Sequence, residues 1–158
     1  MNKTVILPPW LYDGIQPLKN SYPENSNLIV FDTETESRET GEPYLLNFYD
    51  GNSTSYLRVN KETILKCFTE YLNAHCPKAR SNILFAHNLE FDIGAVLCDE
   101  WEEVFRWRKP PLIEVQDDNG NVVAEIQLYP QKTWFAQIRL ENGAYVKVVD
   151  TALSLIHI

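Results

Sequence analysis

Three carboxylates carry the first chemical signal in this chain. Asp32 and Glu34 lie two residues apart at the end of the apolar run Leu28–Phe31, and Asp92 lies in the segment AHNLEFD, 86–92. An unbroken apolar run of this length reads as a fully buried strand. Side chains at i and i+2 leave a strand on one face, so Asp32 and Glu34 should project together. Oxygen ligands of this kind suit a hard divalent cation such as Mg2+. Two such cations about 4 Å apart can activate water and stabilise charge on a phosphodiester. Two carboxylates are few for that task, and Asp92 supplies a third if a short helix brings it beside the first strand. A lone Asp-x-Glu says little; its place at a strand end and the second segment give it weight.

Other residues of the second segment fit a nucleic-acid substrate. The Asn88 amide has donors and an acceptor for a phosphate, sugar or base edge, and is equally suited to cap the helix that follows. Phe91 can stack on an unpaired base, which is worth about 1–3 kcal/mol. His87 suits either a substrate contact or a structural role. Asp92 itself would also be favourable at a helix N-terminus for electrostatic reasons alone.

The elements that must position these residues are legible as patterns. Residues 1–26 read as an irregular lead-in, with Pro8, Pro9 and Pro23 breaking regular structure. Strands are predicted over about 27–32, 44–49 and 55–59, the last two joined by a hairpin turn at Asp50–Ser53. Asn60 is placed as an N-cap, with Glu62 in the first turn. Ile64, Leu65, Phe68, Tyr71 and Leu72 then recur at helical spacing. A short strand at 83–86 leads into a helix over about 90–101, with Ile93, Val96 and Leu97 inward. Strands follow at 112–115, 122–129, 134–140 and 145–149, with turns at 118–120 and 141–143. The order predicts an α/β domain with a mixed sheet and an extra antiparallel β region after the second helix.

Composition narrows the classes. The chain has 158 residues, 44% apolar, and a net charge of −8. Such acidity disfavours bulk binding of duplex DNA or acidic membranes, but allows a nucleic-acid site where metal ions supply positive charge. Three cysteines without a CxxC pair suggest a reduced compartment and no zinc site. No stretch is long enough to span a bilayer and no signal peptide is visible, so a cytoplasmic location and no membrane partner are expected. Arg106, Arg108 and Lys109 form a small basic cluster that reads as surface. Trp101, Trp107 and Trp134 read as packing residues, and the acidic run from Asp99 to Glu103 as solvated.

The segments FDTET and AHNLEFD together resemble the first two exonuclease motifs of the DnaQ-like 3′–5′ exonuclease superfamily. ILFAHNLEFDIGAVL is most similar to the second motif of family B DNA polymerases, above all the protein-primed enzymes of phages and linear plasmids. WFAQIRLENGAYVKVVDT resembles the later strands of the same enzymes, which lead into a Tyr-Asp-Ser-Leu-like element approximated by residues 149–151. The resemblance spans about 28–152. It implies a ribonuclease H-like fold and two-metal hydrolysis of the terminal phosphodiester at a single-stranded 3′ end, with two Mg2+ or Mn2+. It implies Asp32, Glu34 and Asp92 as metal ligands and catalytic residues, with Glu34 also positioning the attacking water. Thr35, His87, Asn88 and Phe91 fall where the family holds the frayed strand. It further implies a polymerase domain in cis and, for the protein-primed enzymes, a terminal protein primer. The family's third motif, a Tyr or His with a last catalytic Asp on a later helix, has no counterpart here; Asp150 precedes its place and reads as structural.

Residues 153–158, LSLIHI, match codon by codon one translation of the mosaic-end adapter of transposon-based sequencing libraries. The exonuclease domain is therefore expected to span 27–152, cut before its last helices, with little activity of its own and apolar surface left open on one sheet face. The rival readings are a stand-alone exonuclease of the same superfamily, acting on DNA or RNA, and a catalytically dead nucleic-acid-binding domain.

Overall fold

Alternating burial, rather than uniform burial, shapes the strand that carries Asp32 and Glu34. The computed structural model describes residues 2–7, 25–36, 41–87, 89–97, 112–129 and 134–151, with only the backbone at Glu90, Trp134 and Phe135. Its strands are β1 (Lys3–Leu7), β2 (Asn27–Thr35), β3 (Pro43–Tyr49), β4 (Thr54–Arg58), β5 (Asn82–Ala86), β6 (Leu112–Gln116), β7 (Val122–Leu128), β8 (Trp134–Leu140) and β9 (Tyr145–Asp150). The helices are α1 (Ile64–His75) and α2 (Leu89–Leu97). The strands form one mixed sheet in the order β1-β6-β7-β8-β9-β5-β2-β3-β4. At its centre β5 runs parallel to both β2 and β9, and the other pairs are antiparallel. The expected α/β class with a mixed sheet is present, and the β-rich region after α2 continues that sheet.

Helical spacing reported the core face well. Ile64, Leu65, Phe68, Tyr71 and Leu72 of α1 are buried, as are Ile93, Val96 and Leu97 of α2. They pack with Ile29 and Phe31 of β2, Leu46 and Phe48 of β3 and Leu84 of β5 in one cluster. Within it the Phe48 and Tyr71 rings stack with centroids 3.7 Å apart, and Phe68 tilts against Phe31 at 5.4 Å. Burying an aromatic side chain here removes a large apolar area from water, the dominant stabilising term of such a core.

Three local expectations are revised. β2 is not buried on both faces: Ile29, Phe31 and Thr33 point into the core, while Leu28 and Val30 are 49% and 46% exposed. The cause is that α1 and α2 belong to the cluster on one face only; the opposite face carries a small cluster of Ile83 and Val149 with Phe85 and Tyr129. A continuous apolar run therefore did not mean double burial, and open apolar surface on one face is present. The lead-in contains a strand, β1, whose residues 3–7 pair with the otherwise open edge of β6. Asn60 caps the turn before α1 rather than the helix itself: its Oδ1 accepts from the Glu62 and Thr63 N–H groups, at 2.9 and 3.0 Å. Glu62 thus precedes the helix. Pro8, Pro9, Trp10, Pro23, the basic cluster, Trp101, Trp107, the acidic run from Asp99 and residues 153–158 lie outside the described residues.

The turns behave as their glycines require. Gly51 between β3 and β4 has φ +97°, and Gly120 between β6 and β7 has φ +81°. Both lie in the left-handed region that a Cβ disfavours. Asp50 and Asp117 close these turns by accepting backbone N–H bonds from Asn52 and Ser53, and from Asn119 and Asn121.

Candidate metal centre

The C-terminal ends of the three parallel strands meet in one place, as the sheet order β9-β5-β2 requires. Such ends are where sites form in α/β sheets. Asp32 and Glu34 stand at the end of β2 on its exposed face. Thr33 between them points the other way, into the core, and is buried.

Asp92 meets Thr33 from the opposite side. β5 ends at Ala86, the chain turns, and α2 starts at Leu89, so Asp92 falls in the first helical turn. There it is only 3% exposed. Its Oδ1 accepts two hydrogen bonds from Thr33, one from the backbone N–H at 3.1 Å and one from the hydroxyl at 2.7 Å. These bonds fix a charged side chain of α2 to the strand between two further carboxylates.

Asp150 completes the electrostatic picture. It pairs with Ala86 in the parallel β5–β9 register and is buried. Its Oδ2 accepts the Leu89 N–H at 3.1 Å, which satisfies a free donor at the start of α2. Burial pushes the Asp92 carboxyl up to about 6. The two Thr33 bonds pull it down, and the charges of Asp32 and Asp150 push it up again. A buried Asp92 whose ionised form is opposed by the charges of both Asp32 and Asp150 is an environment that a cation would relieve.

The remaining predicted residues fall around this centre in different ways. Phe91, beside Asp92, is 42% exposed, so its ring is available at the surface and is not core. His87 is exposed, with Nδ1 3.3 Å from the Thr151 hydroxyl, which in turn donates to the Ala86 carbonyl at 3.3 Å. Thr35 is partly buried, just past an irregularity in the β2–β3 register, opposite Pro43. Asn88 lies outside the described residues.

The donor chemistry fits a hard divalent cation. Among the described residues no three carboxylate, histidine or thiol groups stand close enough together to hold a metal as they are. Alternation explains this, since Asp32 and Glu34 leave β2 on one face and Thr33, with Asp92 behind it, on the other. Mg2+ does not require such a cage: it commonly takes one or two carboxylates and completes its shell with water and substrate phosphate.

Two residues of the centre were missed or undervalued in the sequence. Thr33 was passed over as the spacer of an Asp-x-Glu pair, although alternation alone puts it on the inward face. Asp150 read as structural, and capping α2 is a structural role; its charge beside Asp92 was not foreseen. The signal was there, since Tyr145–Asp150, apolar but for Lys147, ends in a carboxylate as Leu28–Asp32 does. No protein-family model, curated protein or solved structure matches the chain.

Proposed function

We propose that this chain is a metal-dependent 3′–5′ exonuclease domain of ribonuclease H-like fold, of the kind that proofreads for a family B DNA polymerase. The observation that carries the reading is the clamp between the two exonuclease-like motifs: Thr33 of FDTET holds Asp92 of AHNLEFD by two hydrogen bonds. Thr33 and Asp92, 59 residues apart in sequence, join the two segments in direct contact beside Asp32. The strand arrangement also supports it. A meander β2-β3-β4, then α1, β5, α2 and, after β6 to β8, β9, with β5 and β9 parallel to β2, agrees with the mixed sheet that the reading expects.

In this reading Asp32, Glu34 and Asp92 would hold two Mg2+ or Mn2+ ions, with water and substrate phosphate completing the shell. The ions would supply the activated water and the stabilisation of charge on the phosphate. Glu34, exposed beside Asp32, orients the attacking water. Phe91 presents its ring to a terminal base, and His87, Asn88 and Thr35 contact the frayed strand. The substrate is a single-stranded 3′ end of DNA, the product a mononucleotide. The polymerase domain in cis, a terminal protein primer and a cytoplasmic location belong to the same reading. No helix among the described residues is long and apolar enough to cross a membrane.

The test is Mg2+-dependent release of mononucleotides from the 3′ end of a single-stranded oligonucleotide by the intact protein. Asp32→Ala combined with Glu34→Ala should abolish it. Release that continues unchanged in that double variant, under EDTA-sensitive conditions, rules the reading out.

A further inference from the structure

The open face of the sheet carries more than the two carboxylates. Antiparallel register puts Asn47 of β3 opposite Asp32, and Tyr56 of β4 opposite Asn47. One row further along, Leu45 faces Glu34 and Arg58 faces Leu45; on the other side, Tyr49 faces Val30. Residues directly opposite in a ladder share a sheet face. Tyr49, Tyr56 and Arg58 therefore lie on the same face as Asp32 and Glu34, one and two strands away.

These side chains have the properties of a binding surface. Tyr56 is 69% exposed and Tyr49 48% exposed, on the edge strand and its neighbour. Tyr49 is held down: its hydroxyl donates to the Gly51 carbonyl at 3.1 Å, which fixes the ring against the hairpin. The two tyrosines are diagonal neighbours across β3 and β4, close enough to act together. Arg58 adds an exposed positive charge in a chain of net charge −8. Asn47, in the middle of the row, has a buried Oδ1 with no hydrogen-bond partner among the described residues. Such an acceptor is uncommon, and it lies closed to solvent beneath the exposed row.

We propose that Tyr49 and Tyr56, with Arg58, form a stacking track for single-stranded nucleic acid that leads across β4 and β3 to Asp32 and Glu34. The inference rests on the exonuclease reading for the direction of the track. Its own basis is the register and exposure of these three side chains. Each tyrosine offers a face to one base, and Arg58 meets the backbone phosphate. Stacking of this kind is tolerant of sequence, because every base has a π face. The strand's own phosphates are met by one arginine only, so stacking rather than charge carries the contact.

The test uses a short fluorescein-labelled oligothymidylate and fluorescence anisotropy, in Ca2+ to prevent cleavage, alongside Mn2+ calorimetry. Tyr49→Ala with Tyr56→Ala should weaken oligothymidylate binding by about tenfold or more. Tyr49→Phe with Tyr56→Phe should keep it, and Mn2+ binding should be unchanged in both. Since the Phe pair keeps ring and packing, retention there and loss in the Ala pair separates stacking from misfolding. Oligothymidylate affinity equal to wild type in a folded Ala pair overturns the track and leaves the exonuclease reading standing. A wild-type chain that binds no oligothymidylate overturns the track as well, and so does a dimer that the Ala pair dissociates, which would make the face a contact between copies. Tyrosine-dependent binding in a chain that takes up no Mn2+ supports the track and instead removes the exonuclease reading.

Discussion

Thr33 gives Asp92 two hydrogen bonds on a single oxygen, from its backbone N–H at 3.1 Å and its hydroxyl at 2.7 Å. The backbone bond depends only on the path of β2, but the hydroxyl bond is a property of the side chain. Thr33→Val keeps the shape and the first bond and removes the second. It should destabilise the fold by about 1–2 kcal/mol at neutral pH, since the acceptor is a buried charged group. It should also raise the Asp92 pKa above about 6, because the Thr33 bonds favour the ionised form. Urea denaturation and a carboxyl NMR titration check both effects.

Asp92 should make the protein less stable above its pKa than below it. Its folded value of about 6 exceeds the ordinary 3.8, so the native state holds its proton more tightly than the unfolded chain. The penalty is absent below about pH 4, grows as pH rises through the window up to about 6, and then stays at about 3 kcal/mol as an upper figure. Asp92→Asn should therefore stabilise the chain at neutral pH and make little difference near pH 4. A difference between the two unfolding free energies that does not change over this window would contradict the assignment. Added Mg2+ should narrow the gap at neutral pH by stabilising the ionised wild type more than the variant.

Asp150 has two separable effects. Asp150→Ala removes the acceptor of the Leu89 N–H at 3.1 Å, the start of α2, and should cost about 1 kcal/mol. Asp150→Asn keeps an acceptor oxygen and loses only the charge. Thermal unfolding should show a smaller loss for Asn than for Ala. A titration should show the Asp92 pKa lowered in both, because the Asp150 charge contributes to raising it.

The legible part of the fold was what local chemistry dictates. Ile64, Leu65, Phe68, Tyr71 and Leu72 were found by spacing because a helix repeats its buried face at a fixed period. The turns at Gly51 and Gly120 were found because few residues accept positive φ. The strand β1 was missed because five residues in a proline-bounded lead-in acquire strand geometry only by pairing with β6, more than a hundred residues on. Open apolar surface on one sheet face was expected, but that Leu28 and Val30 supply it is not marked in the run itself, because which face of a strand receives helices is a tertiary fact. In the site, Asp32, Glu34 and Asp92 stood out by type and position. The bond from Thr33 to Asp92 spans 59 residues, and nothing in Thr33 itself announces it.

The core gives an independent check on the packing. Phe68 is fully buried and lies 5.4 Å from the Phe31 ring and 6.0 Å from Phe48, joining α1 to β2 and β3. Phe68→Ala should cost about 3–5 kcal/mol. A loss under about 1 kcal/mol by chemical denaturation would show that α1 does not pack on β2 and β3 in this way.

The most direct test of the centre is calorimetric titration of Mn2+ into the wild-type chain, Asp32→Ala with Glu34→Ala, and Asp92→Asn at neutral pH. Mn2+ is a suitable probe, because carboxylate and water ligands suit Mg2+ and Mn2+ alike. Saturable binding to wild type, lost in the double variant and weakened at least about tenfold in Asp92→Asn, is the predicted result. Binding of equal strength in all three, or none to the folded wild type, would contradict a metal centre built on Asp32, Glu34 and Asp92.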